Sequence, residues 1–313
     1  MQKKTISKVI TKKLNEWLET ITDESLRKKV KENLLVSGGS ITSMFLNEPV
    51  NDFDIYIQDM DVLIELAMYY MPNDVLDGRK KDELILDHYI KKYGNLNCAK
   101  KELESLNEDL SEQTVRLKNL KPNQVKLNVE SSGQRMQIDE NKKYQIAFLS
   151  QNAISLTDDI QIVLRFSGAP EEIHSTFDFI HATNYFTFED GVVTNLQALE
   201  SLISKDLKYQ GSQYPLTSII RIKKFLKRGW TINAGEMLKM MFQISELNLK
   251  DPVVLEEQLI GVDIAYFDKL IDVIRDVPRD KINSNYINTI IDKVFSQYEE
   301  IEETPKAASN SND

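Results

Sequence analysis

Gly38-Gly39-Ser40 follows an apolar run, Leu34-Leu35-Val36, and after eleven further residues comes Asp52-Phe53-Asp54-Ile55. Two glycines at a helix start let the backbone approach a ligand and leave the helix's first free N–H groups pointing at it. Ser40 adds a hydroxyl donor, so the turn forms a cradle suited to the β- and γ-phosphates of a nucleoside triphosphate. It is not a P-loop, because the G-x-x-x-x-G-K-[ST] spacing and its lysine are missing. Asp52 and Asp54 sit one residue apart on an expected strand and project from one face, with Phe53 and Ile55 turned to the core. Carboxylates that close repel unless cations neutralise them, and Mg²⁺ is the hard ion that takes carboxylate and phosphate oxygens. Two such ions stabilise both the attacking and the leaving oxygen in a nucleotidyl displacement. The mechanism asks for a third acid on a neighbouring strand. Asp178, between Phe177 and Phe179, is the candidate, either as a ligand of the metal that activates the attacking hydroxyl or as acceptor of its proton.

Other residues compete for a role. Asp158 and Asp159 precede an expected strand, where a turn fits them better. Arg165, in Leu164-Arg165-Phe166, either contacts a triphosphate or forms a structural ion pair. His174 and His181 flank Asp178 without a metal-ligand spacing: His174 reads as a loop residue, His181 as structural or nucleotide-contacting, and His88 as solvated. Arg221, Lys223, Lys224, Lys227 and Arg228 form a basic cluster at helical spacing. It is either a solvated amphipathic face or a phosphate-contacting helix, with Lys224 at the nucleotide or the whole cluster on an RNA or DNA acceptor. Lys205 and Lys208 are candidates to join it, and Tyr209, Tyr214 and Trp230 are candidates for base stacking or core.

The glycine turn, the Asp-apolar-Asp-apolar strand and the isolated apolar-Asp-apolar resemble the pattern of the DNA polymerase β-like nucleotidyltransferase superfamily. The segments SQNAISLTDDIQIVLRFSGAPEEIHSTFDFIHATNYF and YQGSQYPLTSIIRIKKFLKRGWTINAGEMLKM resemble nucleotidyltransferase-like proteins of tailed bacteriophages. That resemblance implies phosphate binding by Gly39 and Ser40 and metal binding by Asp52, Asp54 and Asp178. The implied reaction moves NMP from an NTP to a hydroxyl of RNA, such as tRNA, or of a protein, with two Mg²⁺ ions and loss of pyrophosphate. The alternative is a catalytically inactive phage protein that keeps the fold as a binding or assembly module.

The elements that must position these residues follow from periodicity. Helices are expected at 4–20, 23–33 (capped by Thr22 or Asp23), 40–46 (ended by Pro49) and 59–70, with strands at 33–36 and 52–57. Residues 74–121 read as an inserted helical hairpin whose Leu103-to-Leu120 seam offers a weak route to self-association through 98–120. Short strands follow at Val125–Val129, Met136–Ile138, Tyr144–Leu149 and Ala153–Leu156, with a longer one at Ile160–Phe166 and further ones around Asp178 and Tyr185–Phe188. Helices are expected at 195–207, 215–228, 233–247, 251–260, 263–275 and 283–299. The expected fold is α+β: a nucleotidyltransferase-like mixed sheet flanked by helices over 1–190, an all-helical domain over 191–303, and a disordered tail over 304–313.

Composition sets the outer bounds. With 41% hydrophobic and 28% charged residues the chain is of ordinary globular type, and its net charge of -10 argues against wholesale capture of nucleic acid. The single cysteine, Cys98, excludes an internal disulfide and a cysteine-cluster metal site. No run approaches the length of a membrane span, and the first residues lack an apolar signal core, so the expected location is the cytoplasm, that of the host if the phage resemblance holds.

Overall fold

The structure of the chain, a computed structural model, describes residues 1–70, 134–135, 138–139, 142–149, 152–249, 251, 254 and 258. The hairpin expected at 74–121, the strand at Val125–Val129, His88, Cys98, the C-terminal helices from 263 onward and the tail lie outside the described residues, as does most of 251–260. The chain divides into two compact units, Met1–Gln210 and Gly211–Asp313, a boundary twenty residues beyond the one expected at 190/191.

The first unit is built on an eight-stranded mixed sheet in the order β3-β4-β5-β6-β2-β1-β7-β8. The strands are β1 (Leu34–Ser37), β2 (Phe53–Ile57), β3 (Gln134–Arg135), β4 (Ile146–Leu149), β5 (Ala153–Leu156), β6 (Ile160–Val163), β7 (Tyr185–Thr187) and β8 (Gly191–Val193). All neighbours pair antiparallel except β2 with β6, which run parallel. The helices are α1 (Lys3–Leu18), α2 (Glu24–Asn33), α3 (Gly39–Leu46), α4 (Met60–Tyr70), α5 (Pro170–His174) and α6 (Leu196–Ser204). This is the expected α+β architecture of a mixed sheet flanked by helices. Among the described residues no helix is long and apolar enough to cross a membrane.

Strand parity divides the sheet into two unlike faces. Leu34, Val36, Phe53, Ile55, Ile57, Ile154, Ile160, Ile162, Phe186 and Val192 enter one large core with Ile6, Ile10, Leu14 and Trp17 of α1 and the apolar residues of α3 and α4. Among the described residues, the opposite face carries a small cluster, Leu35, Tyr56 and Ile173, edged by Val163, Phe166, Phe177 and Tyr185. Asp54 belongs to this thinly covered face, because it alternates with Phe53 and Ile55 along β2.

Local signals explain most boundaries. The Asp23 carboxylate accepts from the N–H groups of Ser25 and Leu26 at 2.9 and 3.0 Å and starts α2. α3 is ended by Asn47 in the left-handed conformation, φ 55°, two residues before the Pro49 assigned to that task. Asp158 and Asp159 both take positive φ in the tight turn between β5 and β6, which accounts for them without site chemistry.

In the second unit, α7 (Pro215–Lys227) and α8 (Ala234–Ser245) match the helices expected at 215–228 and 233–247. A two-residue strand (Thr231–Ile232) lies between them, so the described part is not purely helical. Pro215 opens α7, where its missing N–H costs nothing, and the Asn233 side chain caps α8 through the Glu236 N–H at 3.1 Å.

Candidate nucleotide site

The cradle forms where β1 meets α3. Gly38 adopts φ 94°, ψ -142°, a region that is essentially glycine's own. A Cβ placed on it would stand 3.3 Å from Oδ2 of Asp54, so the Asp54 carboxylate borders the space that a side chain at this position would fill. Gly39 is the opposite case: it is exposed, and an added Cβ meets nothing within 4 Å. Ser40, in the first turn of α3, is 2% exposed, and its Oγ has no hydrogen-bond partner among the described residues. An unpaired buried hydroxyl costs about 1–3 kcal/mol. Ser40→Ala should therefore leave the melting temperature unchanged or raise it slightly. If the hydroxyl serves a bound phosphate, the same substitution lowers triphosphate affinity about three- to tenfold in a titration; unchanged affinity would remove Ser40 from the site.

Asp54 is half-buried on β2, and Asp52 is exposed, one residue before the strand begins. Asp178 departs from the expectation. It stands at 8% exposure in a loop, not at an exposed position of an apolar strand, and only Phe179 makes an isolated bridge, to Tyr209. The Asp178 carbonyl accepts from the Gln210 N–H at 3.0 Å, and a 3-10 turn, Ile180–Ala182, follows at once. That turn braces the cradle. The Ala182 carbonyl accepts from the Gly38 N–H at 3.1 Å, and the His181 carbonyl accepts from the Thr42 hydroxyl at 3.2 Å. The Asp178 segment is thus brought to the glycine turn. Among the described residues, however, no three His, Cys, Asp or Glu side chains gather as a group able to hold a metal ion.

Arg165 also differs from expectation. β6 ends at Val163, so Arg165 lies beyond the sheet, 4% exposed, with its guanidinium carbon 5.8 Å from the centre of the Phe166 ring. Lys205 and Lys208 pair with Glu48 and Asp206 within the first unit, so neither is a loose cation awaiting phosphate. On α7, Arg221, Lys224, Lys227 and Arg228 are exposed and Lys223 is half-buried. Tyr209 and Trp230, considered for base stacking, are core residues at 4% and 2% exposure, packed on Phe179 and Phe225.

Two residues on the open face carried no signal as a pair. His174, assigned to a loop, closes α5 and places Nε2 2.9 Å from the hydroxyl of Ser37, the last residue of β1. Ser37 was visible as a polar residue ending an apolar strand, but nothing in the chain linked it to a histidine 137 positions away. Burial draws the His174 pKa down to about 4, against a smaller upward pull from Glu171. The imidazole is thus neutral in the fold. Because the unfolded chain binds this proton more readily, the contribution to stability is present above about pH 6.5 and is lost as pH falls towards 4. Discounted for partial solvation, it is on the order of 2 kcal/mol. Melting curves between pH 7 and 4 should fall more steeply for the wild type than for His174→Gln; parallel curves would refute the assignment.

Comparison with curated protein sequences gives no match. Among solved structures, the Bacillus stearothermophilus CCA-adding enzyme in complex with CTP aligns at 12% identity and a TM-score of 0.35, over 81% of this chain and 50% of that one. The Thermotoga maritima CCA-adding enzyme complexed with tRNA aligns at 13% identity and a TM-score of 0.35, over 93% of this chain and 62% of that one. A tRNA nucleotidyltransferase with a primer tRNA and an incoming ATP analog gives 12% identity and a TM-score of 0.34, over 86% and 68%. The chain spans half the length of the Bacillus enzyme and under two thirds of the Thermotoga one. The family model of the Gabija anti-defense 2 family proteins (Gad2) matches residues 8–205, well over half of the chain, including the glycine turn, Asp54 and Asp178, and the chain belongs to that family.

Proposed function

We propose that this member of the family is a metal-dependent nucleotidyltransferase that moves NMP from an NTP to a hydroxyl acceptor, and that this transfer is how it counters Gabija defence. The observation that carries the reading is the placement of Asp54 beside the glycine turn: a helix N-terminus next to a strand carboxylate. The donor set fits Mg²⁺. This ion is commonly held by one or two carboxylates together with substrate phosphates and water, so Asp52 and Asp54 suffice as the protein's fixed share. Asp178 is the proposed third acid. When bound, the ions would neutralise charge along the triphosphate and lower the pKa of the acceptor hydroxyl.

The chain's own residues do the rest. The Gly38-Gly39-Ser40 turn holds the β- and γ-phosphates, with the Ser40 hydroxyl finding there the acceptor it lacks. The acceptor oxygen bonds to the α-phosphorus as the bond to the pyrophosphate oxygen breaks, and the acceptor's proton passes to Asp178. Arg165, next to the sheet, is proposed to balance phosphate charge. The exposed cations Arg221, Lys224, Lys227 and Arg228, with Lys223, suit an RNA acceptor such as tRNA; the net charge of -10 suits a protein acceptor.

A second reading has its own support. The Asp178 segment braces the glycine turn through backbone bonds, which explains its place without chemistry. A non-catalytic module that binds a defence component would keep the same bonds. Incubation with Mg²⁺, each α-labelled NTP and host RNA, DNA or protein fractions separates the two. Label in one fraction, absent with Asp52→Ala/Asp54→Ala, supports transfer and names the acceptor. No label in any fraction, with no Mg²⁺-dependent NTP binding, leaves the binding module.

A further inference from the structure

Ladder register places a continuous row of residues across the open face of the sheet. Ser155 pairs with Gln161, Gln161 with Asp54, Ser37 with Tyr185, and Tyr185 with Val193. Between them, the register that pairs Leu35 with Tyr56 and Val36 with Ile55 continues to bring Ser37 level with Asp54. Tyr185 is therefore two strand spacings from Asp54, about 10 Å, within the length of one nucleotide. At the Tyr185 end lies a groove of about 390 Å³ lined by Glu171, His174, Thr183, Tyr185, Asn195 and Gln210, among others.

The hydrogen bonds already made decide what this groove can still recognise. The Ser37 hydroxyl faces the Ala182 and Asn184 carbonyls at 3.2 and 3.0 Å, which only accept, so its single proton goes to one of them. His174 must then donate its Nε2–H to Ser37, and Nδ1 keeps a bare lone pair with no partner among the described residues. Gln210 donates Nε2–H to the carbonyls of His174 and Phe177, leaving Oε1 uncommitted. Glu171 is exposed on the rim. Thr183 and Asn195 are engaged with each other. The groove thus offers two uncommitted acceptors, His174 Nδ1 and Gln210 Oε1, together with the hydroxyls of Tyr185 and Thr194, beside the rings of His174 and Tyr185, whose centres are 5.5 Å apart.

We infer that this groove seats the nucleobase of the nucleotide whose phosphates lie on the Gly38 turn, and that it favours amino-bearing bases (adenine, cytosine, guanine) over uracil. This rests on the nucleotide-site reading above. An exocyclic amine has two N–H donors for His174 Nδ1 and Gln210 Oε1, whereas uracil has on that edge a single N3–H between two carbonyls, and a carbonyl set against either acceptor opposes lone pairs.

The test is equilibrium binding, with Mg²⁺, of ATP, UTP and inorganic tripolyphosphate to the full chain and to His174→Gln. The expected result is ATP at least about tenfold tighter than UTP, and a loss of that margin in His174→Gln with tripolyphosphate unchanged. Because the variant also loses a packing contact, ¹⁵N spectra of the wild-type histidines provide a second readout. There are three histidines, and the unprotonated His174 nitrogen should shift with ATP and not with tripolyphosphate. Tight binding of tripolyphosphate with no base preference and no imidazole shift would overturn the groove assignment alone. No binding of any of the three would overturn the phosphate site, and the groove with it.

Discussion

Asp54→Ala should abolish NMP transfer, lowering kcat/KM by about 10³-fold or more while leaving the melting temperature within a few degrees of wild type. A carboxylate that fixes a catalytic cation is worth several kcal/mol in the transition state, and each 1.36 kcal/mol is a factor of ten. The fold should tolerate the change. Asp54 stands on the thinly covered face of β2, whereas the core is held by its neighbours Phe53 and Ile55 on the other side. Asp54→Asn is the sharper variant, since it keeps the shape beside Gly38 and removes only the charge. Initial rates at saturating Mg²⁺ and NTP, beside thermal melts, give the answer. Activity within tenfold of wild type in both variants would remove Asp54 from the chemistry and take the transferase reading with it.

Gly38→Ala should damage fold and site together. At φ 94°, ψ -142° any side chain is strained, at about 1–3 kcal/mol. The new methyl would also press on Asp54 Oδ2 at 3.3 Å. For a unit of this size, that predicts a fall of roughly 3–10 °C in melting temperature. It also predicts loss of NTP binding, because relieving the strain turns the α3 N-terminus away from Asp54. Gly39→Ala is the control: an added Cβ meets nothing within 4 Å and the position is helical, so stability should change by less than about 0.5 kcal/mol. Equal melting temperatures for the two alanine variants would show that Gly38 is not constrained as its backbone implies.

These expectations reach back to the chain in different degrees. The strand–turn–helix of Leu34 to Leu46 and the strand carrying Asp54 were legible in order and type, because apolar periodicity and glycine placement are local signals. So was α7 with its basic residues. Asp178 was legible as an acid of interest, but not as a loop residue. Its flanking Phe177 and Phe179 look like strand alternation, yet Phe179 finds its partner in Tyr209 and Phe177 packs on Tyr56, both of which are contacts distant in sequence. Arg165 was placed on the sheet because Ile162 to Phe166 is otherwise apolar around it, whereas pairing ends at Val163, where its β5 partner begins.

The sequence by itself thus singled out candidate residues for phosphate and metal, and the short elements that carry the glycine turn and Asp54. Both depend on residues within a few positions of one another. Only the tertiary structure decided that Gly38 lies beside Asp54, that the Asp178 segment braces the turn by its backbone, and that His174 reaches Ser37. It also decided which face of the sheet holds the large core. Register sets these relations, because a strand's side-chain period of two sends neighbouring residues to opposite faces, and pairing between distant strands chooses which residues share a row. Ser37 and His174, unremarkable where each stands in the chain, became a fixed pair beside a groove only when β1, β7 and α5 met.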